Sequence, residues 1–315
     1  MKILITDAAT VTNGDIDLSP LAELGELVVR ELTSPEELLE LLSDVDAVIC
    51  NKTVIGKKEI ENAPKLKYIG LFATGYNNID TAFARERGIT VCNAGTYSSN
   101  AVCQQVFAFI LDRCAKVSEY DNFVKEGGWI THKTFSAFVR PTNEIAGKTL
   151  GIIGYGAIGK TVANVALAFG MNVIVYTRTP KDDPRVKFVD FDTLLKESDF
   201  VSVHCPLTDK TAGMFNYEAF KKMKKSAMLI NTGRGGMVVE ADLRRALDEG
   251  VIACAAVDVL CTEPMAADCA LYGAKNITFT PHVAWTPLET RARLIGIVHD
   301  CLEAFQNGKP INVVN

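Results

Sequence analysis

Three polar segments in the second half of the sequence contain residue types that together suit one reaction. These segments are residues 231–235, 258–264 and 280–285. Arg234 could hold a carboxylate in two parallel hydrogen bonds, and His282 could exchange a proton near neutral pH. Reduction of a 2-oxo acid needs such a cation, such a proton donor and a source of hydride. We therefore expect Arg234 to anchor a substrate, His282 to serve as acid and base, and Glu263 to orient the imidazole.

Each of these side chains also has an ordinary structural explanation. Arg234 could cap a helix or pair with a surface acid, and a single histidine or glutamate in a loop is usually solvated. The three segments share one further feature, because glycine or proline flanks the polar residues in each of them. Ligand sites of α/β proteins form outside the carboxyl ends of strands, and this placement favours the catalytic interpretation.

A glycine motif lies in the middle of the sequence and consists of Gly154, Tyr155, Gly156, Ala157, Ile158 and Gly159. The pattern predicts a strand over 149–153 before the motif, a helix over 160–169 after it and a second strand over 172–176. In that setting the first glycine permits a tight turn, the second lets the backbone approach a pyrophosphate, and the third lets the helix pack on the strand. The motif therefore predicts a dinucleotide site, with a purely structural glycine-rich turn as the alternative.

The residues after the second of these strands bear on the choice of cofactor. An acid that binds the ribose hydroxyls of NAD is expected there, but the chain has Thr177, Arg178 and Thr179. A hydroxyl and a guanidinium suit a 2′-phosphate, which favours NADP slightly over NAD. The alternative is that Arg178 is a solvated charge at the end of the strand.

The elements that must position these residues alternate along the whole chain. Short apolar runs, which predict buried parallel strands, occur at 3–5, 47–49, 68–71, 150–153, 173–176, 200–203 and 228–230. Helical patterns separate them, and 315 residues suffice for two cores. We predict an α/β protein with a dinucleotide-binding domain over 99–284 and a substrate domain over 1–98 plus 285–315. A C-terminal helix from Leu288 onward should pack on the substrate domain.

Composition excludes several other classes of protein. The net charge is -5, with acidic and basic residues interspersed, so we expect no nucleic-acid partner. The apolar run at the N-terminus is too short for a signal sequence or a membrane span. The nine cysteines lie mostly in apolar runs and lack the spacing of a zinc site. We expect reduced thiols, no structural metal and a cytoplasmic protein.

Taken together, these segments resemble the D-isomer-specific 2-hydroxyacid dehydrogenase family. The similar stretches are residues 72–80, the glycine motif, residues 204–208 and the three polar segments described above. The resemblance implies a Rossmann cofactor domain inserted into a flavodoxin-like substrate domain, in a homodimer. It gives Arg234, Glu263 and His282 the anchoring, orienting and acid–base roles.

The resemblance also implies further contacts with cofactor and substrate. Besides the glycine motif and residues 177–179, the cofactor contacts are His204, Pro206, Thr208, Thr232, Gly233 and Asp258. Besides Arg234 and His282, the substrate contacts are Asn51, Lys52, Trp285 and the backbone N–H groups of Thr74 and Gly75.

Within that family, residues 93–98 and 281–285 are most similar to glycerate dehydrogenases, also called hydroxypyruvate reductases. The implied reaction interconverts hydroxypyruvate or glyoxylate with D-glycerate or glycolate. Two alternatives remain, a phosphoglycerate-dehydrogenase-like enzyme and a nucleotide-sensing, corepressor-like binding protein.

Overall fold

The computed structural model describes all residues from 1 to 315, which form two compact units. The first unit comprises Met1–Ser98 and Trp285–Asn315, and the second comprises Ser99–Ala284. The strands are β1 (Lys2–Ile5), β2 (Glu26–Val29), β3 (Ala47–Cys50), β4 (Tyr68–Leu71), β5 (Thr90–Cys92), β6 (Thr149–Ile153), β7 (Asn172–Tyr176), β8 (Lys187–Phe188), β9 (Phe200–Val203), β10 (Met228–Asn231), β11 (Cys254–Val257) and β12 (Ile277–Phe279).

The helices are α1 (Pro35–Leu42), α2 (Lys57–Glu61), α3 (Thr81–Glu86), α4 (Ser99–Ala115), α5 (Val117–Lys125), α6 (Ala157–Ala168), α7 (Phe191–Glu197), α8 (Tyr217–Lys222), α9 (Glu240–Asp248) and α10 (Leu288–Gln306). Helix α10 is the longest, with 19 residues. None of these helices combines the length and the apolar character that crossing a membrane requires.

The first unit contains a five-stranded sheet with the order β2-β1-β3-β4-β5, and all its strands are parallel. This is the strand order of flavodoxin-like folds. Strands β3 and β4 are buried along their whole length, as unbroken apolar runs predict. Helix α10 covers one face of the sheet, where Leu294, Val298 and Leu302 enter the core. The C-terminal residues of the chain therefore complete the core of the N-terminal ones.

The second unit contains a seven-stranded parallel sheet with the order β12-β11-β10-β9-β6-β7-β8. The first strand of this sheet in the sequence is β6. From it the chain runs outward through β7 to β8 and then returns to β9 on the other side of β6. The six strands from β6 to β11 have the 3-2-1-4-5-6 order of a Rossmann fold, and β12 extends the sheet beyond β11. The two parallel sheets confirm the predicted fold class. The point where the strand order reverses lies between β6 and β9, and a crevice for a ligand forms at such a point.

Some elements differ from the prediction. Helix α6 begins at Ala157, three residues before the predicted start at Lys160, because Gly156 already occupies the extended position before the first helical turn. The apolar runs did not mark five strands, β2, β5, β8, β11 and β12, although strands were expected before the polar segments at 258–264 and 280–285, where β11 and β12 lie. Strand β2 is only partly buried and β8 has two residues, so neither forms a long apolar run.

Candidate active site

The predicted functional segments of the second unit all follow strands at one edge of its sheet. The glycine motif follows β6, Thr177 follows β7 and His204 follows β9. The segments with Arg234, Glu263 and His282 follow β10, β11 and β12, three strands that are neighbours in the sheet. Because the strands are parallel, their carboxyl ends meet at the same edge, and the fold brings these segments together.

The three glycines of the motif have different structural reasons. Gly154 has φ +93°, and a Cβ atom there would lie 2.7 Å from the backbone of His204 and Cys205. A Cβ atom on Gly159 would lie 2.1 Å from the carbonyl oxygen of Gly154, where the helix packs on the turn. A Cβ atom on Gly156 would have no neighbour within 4 Å. Two glycines thus allow internal packing, while the third faces open space beside the helix N-terminus.

The surroundings of Gly156 fit a dinucleotide. Gly156 is the N-cap of α6, and no side chain accepts a hydrogen bond from the first N–H groups of this 12-residue helix. Such a terminus carries free donors and a partial positive charge that suit a pyrophosphate. The hydroxyl of Thr232, which follows β10 at the same edge of the sheet, is buried and has no hydrogen-bond partner. An orphaned buried hydroxyl is uncommon without a ligand or water to satisfy it, which supports a bound polar group here.

Tyr155 connects the glycine motif to the loop that follows β7. Its side chain is buried, and its hydroxyl donates to a carboxylate oxygen of Asp183 at 2.8 Å. Arg185 holds the same carboxylate, and this ion pair keeps the pKa of Asp183 well below its usual range. The side chain of Tyr155 therefore belongs to the core of the unit.

Residues 177–179 lie at the start of that loop. Thr177 is half-buried, whereas Arg178 and Thr179 are exposed. The guanidinium of Arg178 makes no hydrogen bond or ion pair with the protein, and no acid occupies the three positions after β7.

His204 lies beside Gly154, at the end of β9. Its Nε2 atom is 2.8 Å from the hydroxyl of Ser202, and its backbone N–H donates to Ile153. Burial of the imidazole lowers the pKa of His204 to about 3, although the residue as a whole keeps partial exposure. Pro206 and Thr208 continue from it along an exposed segment. His204 is thus a neutral histidine at working pH, which suits packing against a ligand better than proton transfer.

Asn231 shapes the turn that carries Arg234. It is buried at the end of β10, accepts a hydrogen bond from the N–H of Gly233 and donates one to the carbonyl of Arg234. Arg234 is exposed, and its guanidinium donates one hydrogen bond to the carbonyl of Gly233. A Cβ atom on Gly235 would lie 1.9 Å from the backbone of Leu260. This glycine therefore lets the arginine turn pack directly on the loop that leads to Glu263.

Glu263 and His282 form a hydrogen-bonded pair. The Nδ1 atom of His282 lies 2.6 Å from Oε2 of Glu263, and the side chains are 26% and 34% exposed, respectively. The other carboxylate oxygen accepts the N–H of Leu260 at 2.9 Å. The two hydrogen bonds fix the orientation of the Glu263 carboxylate, and this carboxylate in turn fixes the orientation of the His282 imidazole. An imidazole with Nδ1 so occupied has Nε2 left for a substrate.

Asp258, predicted as a cofactor contact, is buried, and both its carboxylate oxygens bind the segment 280–284. Its carboxylate therefore holds the loop that carries His282. Asn51, predicted as a substrate contact, is 5% exposed, and its amide donates to Thr10. Burial makes Asn51 part of the framework of its turn.

The remaining predicted substrate contacts lie in the first unit. Thr74 is exposed after β4, and the side chain of Asn93 donates to its carbonyl at 2.7 Å. Lys52 is exposed, and Trp285 packs edge-on against Tyr97 with ring centroids 6.3 Å apart. Asp7, which belongs to none of the predicted functional segments, is buried and accepts the backbone N–H groups of Asn51, Lys52 and Thr53. An acid two residues after a buried strand was the only signal for it.

Comparison with known proteins gives a consistent result. Residues 107–284 match the family model described as D-isomer specific 2-hydroxyacid dehydrogenase, NAD binding domain. The chain is 40% identical over 321 residues to a hydroxypyruvate reductase of Blautia hydrogenotrophica, with 100% of both chains covered. It is 41% identical over 283 residues to a glycerate dehydrogenase of Methylorubrum extorquens, with 89% of each covered. It also matches the structure of an NADPH-dependent glyoxylate/hydroxypyruvate reductase of Sinorhizobium meliloti, with TM-score 0.85, 27% identity, and 99% and 97% of the chains covered.

Proposed function

The chain belongs to the D-isomer specific 2-hydroxyacid dehydrogenase family, and we propose that it reduces hydroxypyruvate or glyoxylate to the corresponding hydroxy acid, D-glycerate or glycolate. It is an oxidoreductase that acts on CH–OH groups with a nicotinamide cofactor. One observation carries the proposal, the 2.6 Å contact between Glu263 and His282 at the sheet edge that also bears the glycine motif. The relatives named above act on these small acids, and their names support the choice of substrate.

His282 is the proposed acid and base. With Nδ1 held by Glu263, the imidazolium form would donate a proton from Nε2 to the carbonyl oxygen of the 2-oxo acid as that oxygen gains negative charge. Bound NADH or NADPH supplies the hydride that reaches the carbonyl carbon. In the opposite direction, neutral Nε2 would accept the proton of the 2-hydroxyl group. The carboxylate of Glu263, 2.6 Å from Nδ1, would stabilise the charged form of the ring.

Arg234 is the proposed substrate anchor. Its guanidinium is exposed and its position is set by Asn231 and Gly235, so the planar group is available to a carboxylate and the neighbouring oxygen. The N–H groups of Thr74 and Gly75, together with Lys52 and Trp285, are proposed as further substrate contacts. Asn51, whose side chain is buried in the turn that also carries Lys52, is proposed with them.

NADP is proposed as the slightly preferred cofactor. The unpaired guanidinium of Arg178 and the absence of an acid at residues 177–179 support this choice. The cofactor would be held by the glycine motif, His204, Pro206, Thr208, Thr232 and Gly233.

A homodimer is proposed as the assembly. Three large apolar side chains of the irregular segment after α5 are almost fully exposed: Ile130 is 87%, Phe135 is 89% and Phe138 is 90% accessible. Soluble monomers rarely leave such side chains grouped within a short segment, and a second copy would cover them.

All nine cysteines are free thiols, which supports a reducing compartment such as the cytoplasm.

A spectrophotometric panel tests the proposed function. The purified protein is offered NADH or NADPH with hydroxypyruvate, glyoxylate, pyruvate and 3-phosphohydroxypyruvate, and the Arg234→Lys variant is run alongside. We expect turnover of the first two acids and a kcat/KM reduced at least about tenfold in the variant, because lysine offers a point charge in place of a planar fork. Preference for the phosphorylated acid would support a phosphoglycerate-dehydrogenase-like enzyme. Cofactor binding without any turnover would support a nucleotide sensor, and either result would overturn the proposal.

A further inference from the structure

Asp258 is a buried carboxylate whose two oxygens are both used by one short segment. It follows β11 and is 2% exposed. Oδ1 accepts the hydroxyl of Thr280 at 2.5 Å and the N–H of Val283 at 2.9 Å, and Oδ2 accepts the N–H of Ala284 at 3.0 Å. A buried carboxylate is tolerated only when hydrogen bonds replace its hydration. This set of donors does so and ties the segment after β12 to the end of β11.

The same segment carries His282 in an unusual backbone conformation. His282 has φ +56°, a region that residues other than glycine rarely adopt. Its N–H donates to the backbone carbonyl of Asp258 at 2.8 Å. The carboxylate of Asp258 holds residues on both sides of His282, namely Thr280 before it and Val283 and Ala284 after it. The left-handed conformation is therefore fixed from both directions by one residue.

We propose that Asp258 and Thr280 are positioning residues that hold His282 in the orientation in which Nδ1 meets Glu263; this inference rests on the proposed function of that histidine. The geometry explains why an acid is needed at 258. A carboxylate accepts bonds at two oxygens, whereas an asparagine would offer one acceptor and place an NH₂ group against a backbone N–H. Thr280 supplies the one side-chain donor of the clamp. Small displacements of a catalytic group reduce rates strongly, so loosening the clamp lowers kcat without removing any reacting atom.

Two matched variants of Thr280 test the proposal. Thr280→Val removes the hydroxyl but keeps the branched shape, and Thr280→Ser keeps the hydroxyl. For reduction of hydroxypyruvate we expect kcat to fall at least about tenfold in Thr280→Val and to stay within about twofold of wild type in Thr280→Ser. The dissociation constant for NADPH, measured by fluorescence without substrate, should stay within about twofold in both. Asp258→Asn should lower kcat further. Wild-type kcat in Thr280→Val, or a cofactor affinity that falls in parallel with kcat, would overturn the positioning role.

A second readout does not depend on turnover. The chain has four histidines, so the ring nitrogens of His282 can be assigned by ¹⁵N NMR with the variant His282→Gln as reference. In wild type we expect neutral His282 to carry its proton on Nδ1, directed at Glu263, and we expect that tautomer to lose population in Thr280→Val but not in Thr280→Ser. An unchanged tautomer in Thr280→Val would contradict the proposal even if the wild-type protein turned over no 2-oxo acid. A shifted tautomer in an inactive protein would instead support the clamp and refute the proposed function.

Discussion

Oε2 of Glu263 lies 2.6 Å from Nδ1 of His282, although the two residues follow different strands of the sheet. The contact leaves one ring nitrogen of the histidine for a substrate and provides the ring with a partner for its charged form. Two adjacent loops, from β11 and β12, must therefore keep their relative position for the pair to exist.

Replacing Glu263 with glutamine should lower kcat for hydroxypyruvate reduction by about tenfold to a hundredfold, the range for loss of a charge-assisted hydrogen bond. The glutamine carbonyl can still accept the N–H of Leu260, so the loop should keep its shape. Glu240→Gln is the matched control. Glu240 accepts a hydrogen bond from the N–H of Cys261, the residue after Leu260, at 2.7 Å, and none of its hydrogen bonds involves His282. Steady-state kinetics of both variants check this, and equal losses in the two would contradict a specific role of Glu263.

The glycine motif allows a prediction that separates packing from ligand binding. Gly159→Ala places a Cβ atom 2.1 Å from the carbonyl oxygen of Gly154, so we expect a loss of at least about 1 kcal/mol in the free energy of unfolding. Gly156→Ala meets no protein atom within 4 Å. It should unfold within about 1 kcal/mol of wild type but bind NADPH about tenfold or more weakly, since the methyl group enters the space assigned to the pyrophosphate. Denaturant unfolding and fluorescence titration measure the two effects. Normal NADPH affinity in Gly156→Ala would place the pyrophosphate elsewhere.

The limits of sequence-based prediction can be seen at particular residues. Strands such as β3 and β4 were predictable because both their faces are buried, so their apolar runs are unbroken. The glycine motif was predictable because its roles depend on local spacing. The bonds of Asp258 to Thr280 and Ala284 were not, since they join residues more than twenty positions apart and follow from the pairing of β11 with β12. The same holds for the contact of Asp7 with Lys52. To predict contacts between loops, the order of the strands in the sheet must therefore be known, and no single segment of the sequence encodes that order.

The neutral state of His204 predicts a dependence of stability on pH. Burial lowers the pKa of the folded-state imidazole to about 3 from an ordinary value of 6.5. As the pH falls from 6.5 toward 3, the unfolded chain takes up a proton that the folded chain does not, so the free energy of unfolding decreases over that window. Between about pH 7 and about pH 5 this histidine should account for a loss of about 2 kcal/mol.

Urea unfolding at both pH values checks this prediction. His204→Gln should remove that part of the loss, whereas the exposed His132→Gln serves as a control that leaves it in place. Identical pH dependence in wild type and His204→Gln would mean that His204 titrates alike in the folded and unfolded states.

Cofactor preference depends on the start of the loop after β7. Arg178 could give one charge-assisted hydrogen bond to a 2′-phosphate, which corresponds to a preference for NADPH of about tenfold to a hundredfold. We expect Arg178→Ala to lose that preference and Thr177→Asp to reverse it, because an acid there accepts ribose hydroxyls and repels a phosphate. The kcat/KM values for both cofactors decide this. A strong preference of the wild type for NADH that is unchanged in Arg178→Ala would leave Arg178 a surface charge.

The proton-donor role of His282 is tested most directly by comparing wild type with His282→Asn in the reduction of hydroxypyruvate, measured as the loss of NADPH absorbance. If His282 donates the proton, kcat should fall by about a hundredfold to ten-thousandfold, while the dissociation constant for NADPH should remain within about twofold of wild type. If His282→Asn keeps a kcat close to that of wild type, the proton comes from another group, and the assignment of His282 and Glu263 as the catalytic pair is wrong.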